Sequence, residues 1–264
     1  MSHRLLVAQR AARAAGKILA AKLHDARDIH YKGKRDIVTD ADYAADRAIK
    51  ETVLARFPDD KFVSEEGDLE EHKRLWAQAG ASDDLALWVV DPLDGTTNYA
   101  RTLYAFCTSI ALYRAGQVQI GAVYDPITRE LFSAERGRGA RLNGKPIQVS
   151  ATRSLEDAVF GVEWGRALKM RRRSARVLVP MLQRVMVART FGSAALSFCH
   201  VAAGRMDAHV HLSLSPWDVA AAALIVEEAG GRVTMPTGTA WTVHSKEYVA
   251  TNGRLHATIL RYFR

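Results

Sequence analysis

Two carboxylates, Asp91 and Asp94, stand three positions apart around Pro92, with Gly95 directly after them, and follow the apolar run Trp88-Val89-Val90. An apolar run bounded by turn residues reads as a buried strand, and a proline cannot continue it as a central one. The two side chains can therefore point at one spot beyond the strand end. Hard divalent cations such as Mg²⁺ take oxygen ligands, commonly a few carboxylates together with substrate phosphate. Beyond Gly95, small residues with N–H groups to spare suit a helix start that faces an anion. Taken alone, Asp-x-x-Asp-Gly is equally an ordinary surface turn.

Two further stretches carry acidic residues in telling places. One is Phe62-Val63-Ser64-Glu65-Glu66-Gly67; the other is Pro216-Trp217-Asp218-Val219-Ala220-Ala221-Ala222. Together the three resemble the inositol monophosphatase family, the Mg²⁺-dependent, lithium-sensitive sugar phosphatases. Asp91 to Thr97 matches the family's first signature without a gap. Trp217-Asp218 through Gly230-Gly231 matches the second, and the likeness runs in the family's order from about Ile37 to Gly231.

What the resemblance implies is specific. The fold would be a layered α+β sandwich of the αβαβα type shared with fructose-1,6-bisphosphatases, with two sheets and helices between and outside them. Residues 1–150 would form an N-terminal half with an antiparallel sheet and most metal ligands, and 151–264 a second half with the last ligand. Glu65, Asp91, Asp94, Asp218 and the Leu93 carbonyl would hold two or three Mg²⁺ ions. So many carboxylates at one point repel one another without cations. Catalysis would fall to Asp42, Thr96 and Glu65, with Thr96, oriented by Asp42, directing the attacking water. Adjacent strand residues face opposite ways, so of Glu65 and Glu66 only one should reach a given metal.

Gly95, Thr96, Gly192, Ser193 and Ala194 would lie against the substrate. Family members acting on inositol phosphates commonly carry a glutamate seven residues before the second-signature aspartate, and this chain has His211 there. A neutral imidazole offers one donor and one acceptor, whereas a protonated one would favour a second phosphate. Lys34, in the loop Tyr31 to Arg35 with Gly33 as a flex point, is expected to close over bound phosphate. Two of these acids also have structural readings. Thr39-x-x-Asp42 and Ser215-x-x-Asp218 fit capping boxes with aspartate in place of glutamate, and capping does not preclude chemistry.

The elements that must position these residues follow from periodicity. A helix is expected over Leu5 to Lys22, a basic and mobile connection over His30 to Arg35, and a helix from Thr39 to about Arg56. Phe62 to Ser64 reads as a short strand, with a short helix around His72 to Gln78. Phe106 to Tyr113, Gln117 to Tyr124 and Glu130 to Ala134 alternate as strands, and Asn143-Gly144 is a hairpin turn. In the second half, a strand over Ala158 to Val162 precedes a basic helix from Arg166 to Met186. A helix opening at Phe191, a strand from Met206 to Leu212 and a helix capped by Ser215 complete the order.

Composition sets the remaining bounds. The chain has 264 residues, of which 48% are hydrophobic and 25% charged, a balance ordinary for a globular enzyme. No run of eighteen apolar residues exists, so no membrane span is expected. Met1 to Leu23 is basic and free of acids, faintly like a mitochondrial transit segment, but its apolar positions suit a packed first helix. The two cysteines, Cys107 and Cys199, sit among apolar residues and read as free thiols in a reducing cytoplasm. A net charge of +8 favours anionic ligands. Lys169, Arg171, Arg172, Arg173 and Arg176 read first as a solvated helix face and second as a nucleic-acid or protein contact.

The expected activity is hydrolysis of inositol monophosphate or related small sugar phosphates by a metal-activated water, in a homodimer. The alternatives are a fructose-1,6-bisphosphatase or NADP phosphatase, and, in another class, an RNA- or protein-binding regulator using residues 169–176.

Overall fold

The computed structural model describes residues 1–25, 29–33, 36–165 and 167–263. Helix α1 (His3–Lys22) starts at Ser2, whose hydroxyl accepts the Leu5 N–H. It buries Leu5, Val7, Ala8, Ala11, Ala12, Ala15 and Leu19 on one side, so the basic N-terminal stretch is a packed helix. Strands β1 (Ile29–Gly33) and β2 (Asp36–Thr39) form an antiparallel hairpin where a mobile connection was expected. Tyr31 is 78% exposed, so this ribbon buries little and leaves no hydrophobic pattern to read. Helix α2 (Asp40–Leu54) follows at once.

A seven-stranded sheet takes the strands in chain order: β3 (Lys61–Ser64), β4 (Leu87–Asp94), β5 (Cys107–Arg114), β6 (Gln117–Asp125), β7 (Glu130–Glu135), β8 (Ala140–Leu142) and β9 (Lys145–Pro146). All neighbours pair antiparallel except β3 with β4. The parallel pair requires a crossover, and α3 (Leu69–Ala81) supplies it. That helix is longer than the sequence suggested because Asp68 caps it, accepting the Glu71 N–H at 2.8 Å. The short α4 (Thr96–Ala100) leaves the end of β4.

The second sheet has the order β11-β10-β12-β14-β13, from β10 (Val159–Val162), β11 (Val187–Arg189), β12 (Ala208–His211), β13 (Arg232–Thr234) and β14 (Tyr248–Thr251). Helix α5 (Leu168–Leu182) is shorter than the expected 166–186. Pro180 stands in its last turn, and the chain then enters the three-residue edge strand β11, which the sequence reading missed. Helices α6 (Ala194–Ala202), α7 (Pro216–Glu228) and α8 (His256–Leu260) complete the chain.

Three hydrophobic clusters order the layers. Helices α1 and α2 cover one face of the large sheet through Trp88, Val90, Ile110 and Ile120. Helices α6 and α7 fill the space between the sheets, against Val89, Ala111 and Phe132 on one side and Tyr248 and Ala250 on the other. Helices α5 and α8 close the far face of the second sheet over Phe160, Val210 and Val249. The result is the expected αβαβα sandwich. Helix α7 is buried from Val219 to Val226 on every side, as a helix apolar all round must be. It approaches the large sheet so closely that a Cβ on Gly121 would stand 2.5 Å from the Ala221 carbonyl oxygen. Among the described residues, no helix is long and apolar enough to cross a membrane.

Candidate active site

The site grows from an irregularity at the end of β4. Asp91 lies opposite Ser109 of β5 and Asp94 opposite Cys107, so β4 carries one residue more than its partner over this stretch. Pro92 has no N–H to pair, and its carbonyl accepts the Thr108 hydroxyl at 3.0 Å. The Leu93 N–H turns back to Asp91 Oδ1 at 3.0 Å. Bulges of this kind re-aim side chains, and here the two aspartates part company. Gly95 then adopts a φ of 95°, which a side chain would strain, and starts α4.

Asp91 joins two other acids. Glu65 follows β3 and is held beside β4 by its own N–H, which donates to the Val90 carbonyl at 3.0 Å. Asp218 is in the first turn of α7, where its Oδ2 accepts the Ser215 N–H at 2.7 Å as half of a capping box. One oxygen from each of Glu65, Asp91 and Asp218 lies within 4.8 Å of the others. Asp91 is 1% exposed, and burial, then the nearby Glu65, Asp94 and Asp218, push its carboxyl well above the usual range. Three converging carboxylate oxygens, one of them buried at an electrostatic cost, could hold a metal ion, and oxygen donors of this kind suit a hard divalent cation. The residues present fit such an ion. Glu66 is not part of this group of three.

Asp94 points elsewhere. Its Oδ2 accepts the Ser193 hydroxyl at 2.5 Å and the Ala195 N–H at 2.7 Å, and its Oδ1 accepts the Ala194 N–H at 3.3 Å. The carboxylate therefore sits on the start of α6, where unpaired N–H groups and the helix dipole favour it. Burial raises its pKa to about 6, against the lowering effect of these donors.

On the other side of the bulge, the Thr96 hydroxyl lies 3.0 Å from the Leu93 carbonyl and 3.3 Å from Asp42 Oδ1. Asp42 Oδ2 accepts both the Thr39 N–H at 2.8 Å and the Thr39 hydroxyl at 2.6 Å. Asp42 thus caps α2 with one oxygen and reaches Thr96 with the other. The Leu93 carbonyl, expected as a metal ligand, faces the Thr96 hydroxyl here.

Of the expected substrate residues, Gly192 and Ser193 form the turn before α6 and Ala194 is its first residue. The Ala194 N–H is engaged by Asp94, and the Ser193 carbonyl accepts the Ser197 hydroxyl at 2.9 Å. His211 is 7% exposed; its Nδ1 accepts the Ser213 N–H at 3.1 Å and its Nε2 lies 3.9 Å from Glu163 Oε2. Both ring nitrogens therefore face protein groups, and an imidazolium would forfeit the Ser213 bond. Lys34 lies outside the described residues.

Sequence reasoning missed two residues that build this region. Asn98 donates to the carbonyls of Ala105 and Phe191, each at 2.6 Å, and so ties α4 to the turn before α6. Glu163, directly after β10, is 8% exposed and accepts the Ser197 hydroxyl at 3.0 Å. A glutamate closing the apolar strand Val159–Val162 was the available signal.

Comparison with known proteins agrees with this architecture. The family description "Inositol monophosphatase family" matches residues 1–264. The chain is 38% identical to the protein named Nus factor SuhB of Vibrio cholerae, over 100% of this chain and 97% of that one. It is also 38% identical to inositol monophosphatase 1 of Solanum lycopersicum, covering 94% and 90%. Among solved structures, the extragenic suppressor protein suhB of Bartonella henselae superposes with a TM-score of 0.91 at 34% identity, over 100% and 99% of the two chains. The IMPase of Thermotoga maritima gives 0.87 at 34% identity, over 99% and 96%. Motif, fold and whole-length similarity coincide, and the chain belongs to the inositol monophosphatase family.

Proposed function

We propose that the chain is a Mg²⁺-dependent phosphomonoesterase acting on inositol monophosphate or a related small sugar phosphate. Membership of the family supports a phosphatase. The observation that carries the finer reading is the meeting of Glu65, Asp91 and Asp218 from three different elements, beside the Thr96–Asp42 pair. In this reading Glu65, Asp91 and Asp218 hold the cations. Asp94 and the Leu93 carbonyl, adjoining them on β4, would be the further ligands that the family resemblance implies. The division of labour is then between residues 1–150, with most ligands, and 151–264, with Asp218 and the turn before α6. Bound divalent cations would supply Lewis acidity, lowering the pKa of water and offsetting phosphoryl charge.

The chain's own groups do the rest. A hydroxyl can accept one hydrogen bond while donating another. Thr96 Oγ1 can accept from the attacking water and donate to Asp42 Oδ1, which lies in reach. Because Thr39 engages the other Asp42 oxygen, the carboxylate cannot swing away from Thr96. The N–H groups of Gly95, Thr96 and Thr97 open α4 without intrahelical partners, and they suit phosphate oxygens. The water then displaces the alcohol in line, with no covalent phospho-enzyme.

A second reading rests on α5. Lys169, Arg172, Arg173 and Arg176 line a groove of about 600 Å³ with Leu168, Met170 and Glu247. Several relatives carry the name Nus factor, which fits a member with a docking role for this basic face. Measuring phosphate release from inositol monophosphate, fructose 1,6-bisphosphate and NADP, with and without Mg²⁺, separates the readings. Release from one ester only with Mg²⁺ supports the first. Silence on the whole panel removes it and leaves the basic face.

A further inference from the structure

The start of α6 is held by two carboxyl groups, and the geometry assigns a role to Glu163. The N–H groups of Ala194 and Ala195 go to Asp94. The Leu196 N–H takes the Ser193 hydroxyl oxygen at 3.3 Å, and the Ser197 N–H the Ser193 carbonyl at 3.1 Å. The Ser197 hydroxyl lies 3.0 Å from Glu163 Oε1 and 2.9 Å from the Ser193 carbonyl, so Glu163 reaches the turn through Ser197. Two carboxyl groups from different halves of the chain thus share one helix start.

Glu163 is itself gripped from three sides. Strands β10 and β12 are parallel neighbours with Val162 beside Val210, which brings Glu163 and His211 side by side at the strand ends. His211 faces it at 3.9 Å, and the Ser197 hydroxyl donates to it from the first turn of α6. His211, in turn, is fixed by the Ser213 N–H. Two links lead from this cluster to the site: the Ser197 hydroxyl between Glu163 and the Ser193 carbonyl, and the Ser193 hydroxyl to Asp94 at 2.5 Å.

We propose that Glu163, braced by His211, is a positioning residue for the substrate side of the site: it holds the 192–195 turn, and through Ser193 the Asp94 carboxylate, where they meet the alcohol part of the ester. The substrate role rests on the phosphomonoesterase reading; the brace does not. Burial and then Asp94 push the Glu163 carboxyl up to about 8. Glutamine keeps the size of Glu163 and an oxygen that can accept the Ser197 hydroxyl, whereas alanine removes the contact.

The test compares Glu163→Ala with Glu163→Gln. Hydrogen exchange read by mass spectrometry over residues 190–197 should be about tenfold faster in the alanine variant and within about threefold of the parent in the glutamine variant. For an ester the parent hydrolyses, alanine should raise KM about tenfold or more with a smaller fall in kcat, and glutamine should restore both. Unchanged exchange over 190–197 overturns the brace. A fall in kcat at constant KM overturns the substrate role. If Glu163→Ala does not fold, Ser197→Ala removes one donor and should loosen the same segment to a lesser degree; no loosening overturns the proposal. A parent chain that hydrolyses no ester sinks the phosphatase reading, and the exchange result alone then decides the brace.

Discussion

Asp91 and Asp94 sit at the two ends of one bulge on one strand, and their surroundings differ in kind. Among the described residues, Asp91 accepts from a single donor, the Leu93 N–H, and shares its space with Glu65 and Asp218. Asp94 accepts from a hydroxyl and two N–H groups at a helix start. Burial raises the pKa of both, but neighbouring acids add to that cost at Asp91, whereas the donors offset part of it at Asp94. Like residues three positions apart thus divide into a place for a cation and a strut. What divides them is one extra residue in β4 and the docking of α6 from the other half of the chain.

Substitutions can break or sharpen that contrast. Asp91→Asn should have the largest effect: turnover falls by about 10³-fold or more as a charge at the cation site is lost. The melting temperature in excess chelator should nevertheless rise, because like-charge repulsion is relieved. A fall would move Asp91 into the class of struts. Asp94→Asn also keeps volume, and turnover should drop by about 10²-fold. Here stability should fall as well, by about 1–3 kcal/mol, since the amide nitrogen that replaces one carboxylate oxygen faces donors of the α6 start and cannot accept from them. Opposite signs in the two melts are the signature of the contrast; equal signs would erase it.

Thr96→Val should lower kcat by about 10²-fold with little change in melting, and Thr96→Ser should retain most activity. Loss in Thr96→Ser with activity retained in Thr96→Val would mean that the methyl group, not the hydroxyl, matters at this position.

A gentler version of the same contrast lies on β12. His211 has one ring nitrogen hydrogen-bonded and the other 3.9 Å from Glu163, whereas His209, two positions earlier, is fully buried and has no partner for either nitrogen among the described residues. Burial and then His211 lower the His209 pKa from 6.5 to about 3. The unfolded chain takes up this proton below pH 6.5 and the folded chain does not, so stability is lost as pH falls from 6.5 toward 3. Between pH 6.5 and 5.5 the loss is about 1 kcal/mol, and His209→Leu should remove that slope. A denaturation series at several pH values reads it directly. Parallel curves for the two proteins would show that His209 is not the group responsible.

How much of this was legible in the chain depends on what held each element. The layered fold and the site's acids were legible through the resemblance of three stretches, around Glu65, Asp91 to Thr97 and Asp218, to a known family, while apolar runs and the capping boxes at Thr39 and Ser215 located the elements that carry them. The β1–β2 hairpin buries too little to leave a periodic pattern, and β11 is a three-residue edge strand hidden behind the end of α5. The different orientation of Asp94 was not legible, because it depends on donors a hundred residues away at Ser193 and Ala195. Glu163 escaped for the same reason. Its partners on α6 and β12 are brought to it only by the second sheet.

The central claim is that these acids form a cation-dependent phosphatase site, and one assay addresses it most directly. Phosphate release from inositol monophosphate and a panel of sugar phosphates is followed with Mg²⁺, with excess chelator, and after Mg²⁺ is returned. The account predicts release with Mg²⁺, loss in chelator, recovery on return, inhibition by lithium, and no recovery in Asp91→Asn. Full turnover in excess chelator, or equal turnover by Asp91→Asn, would contradict it.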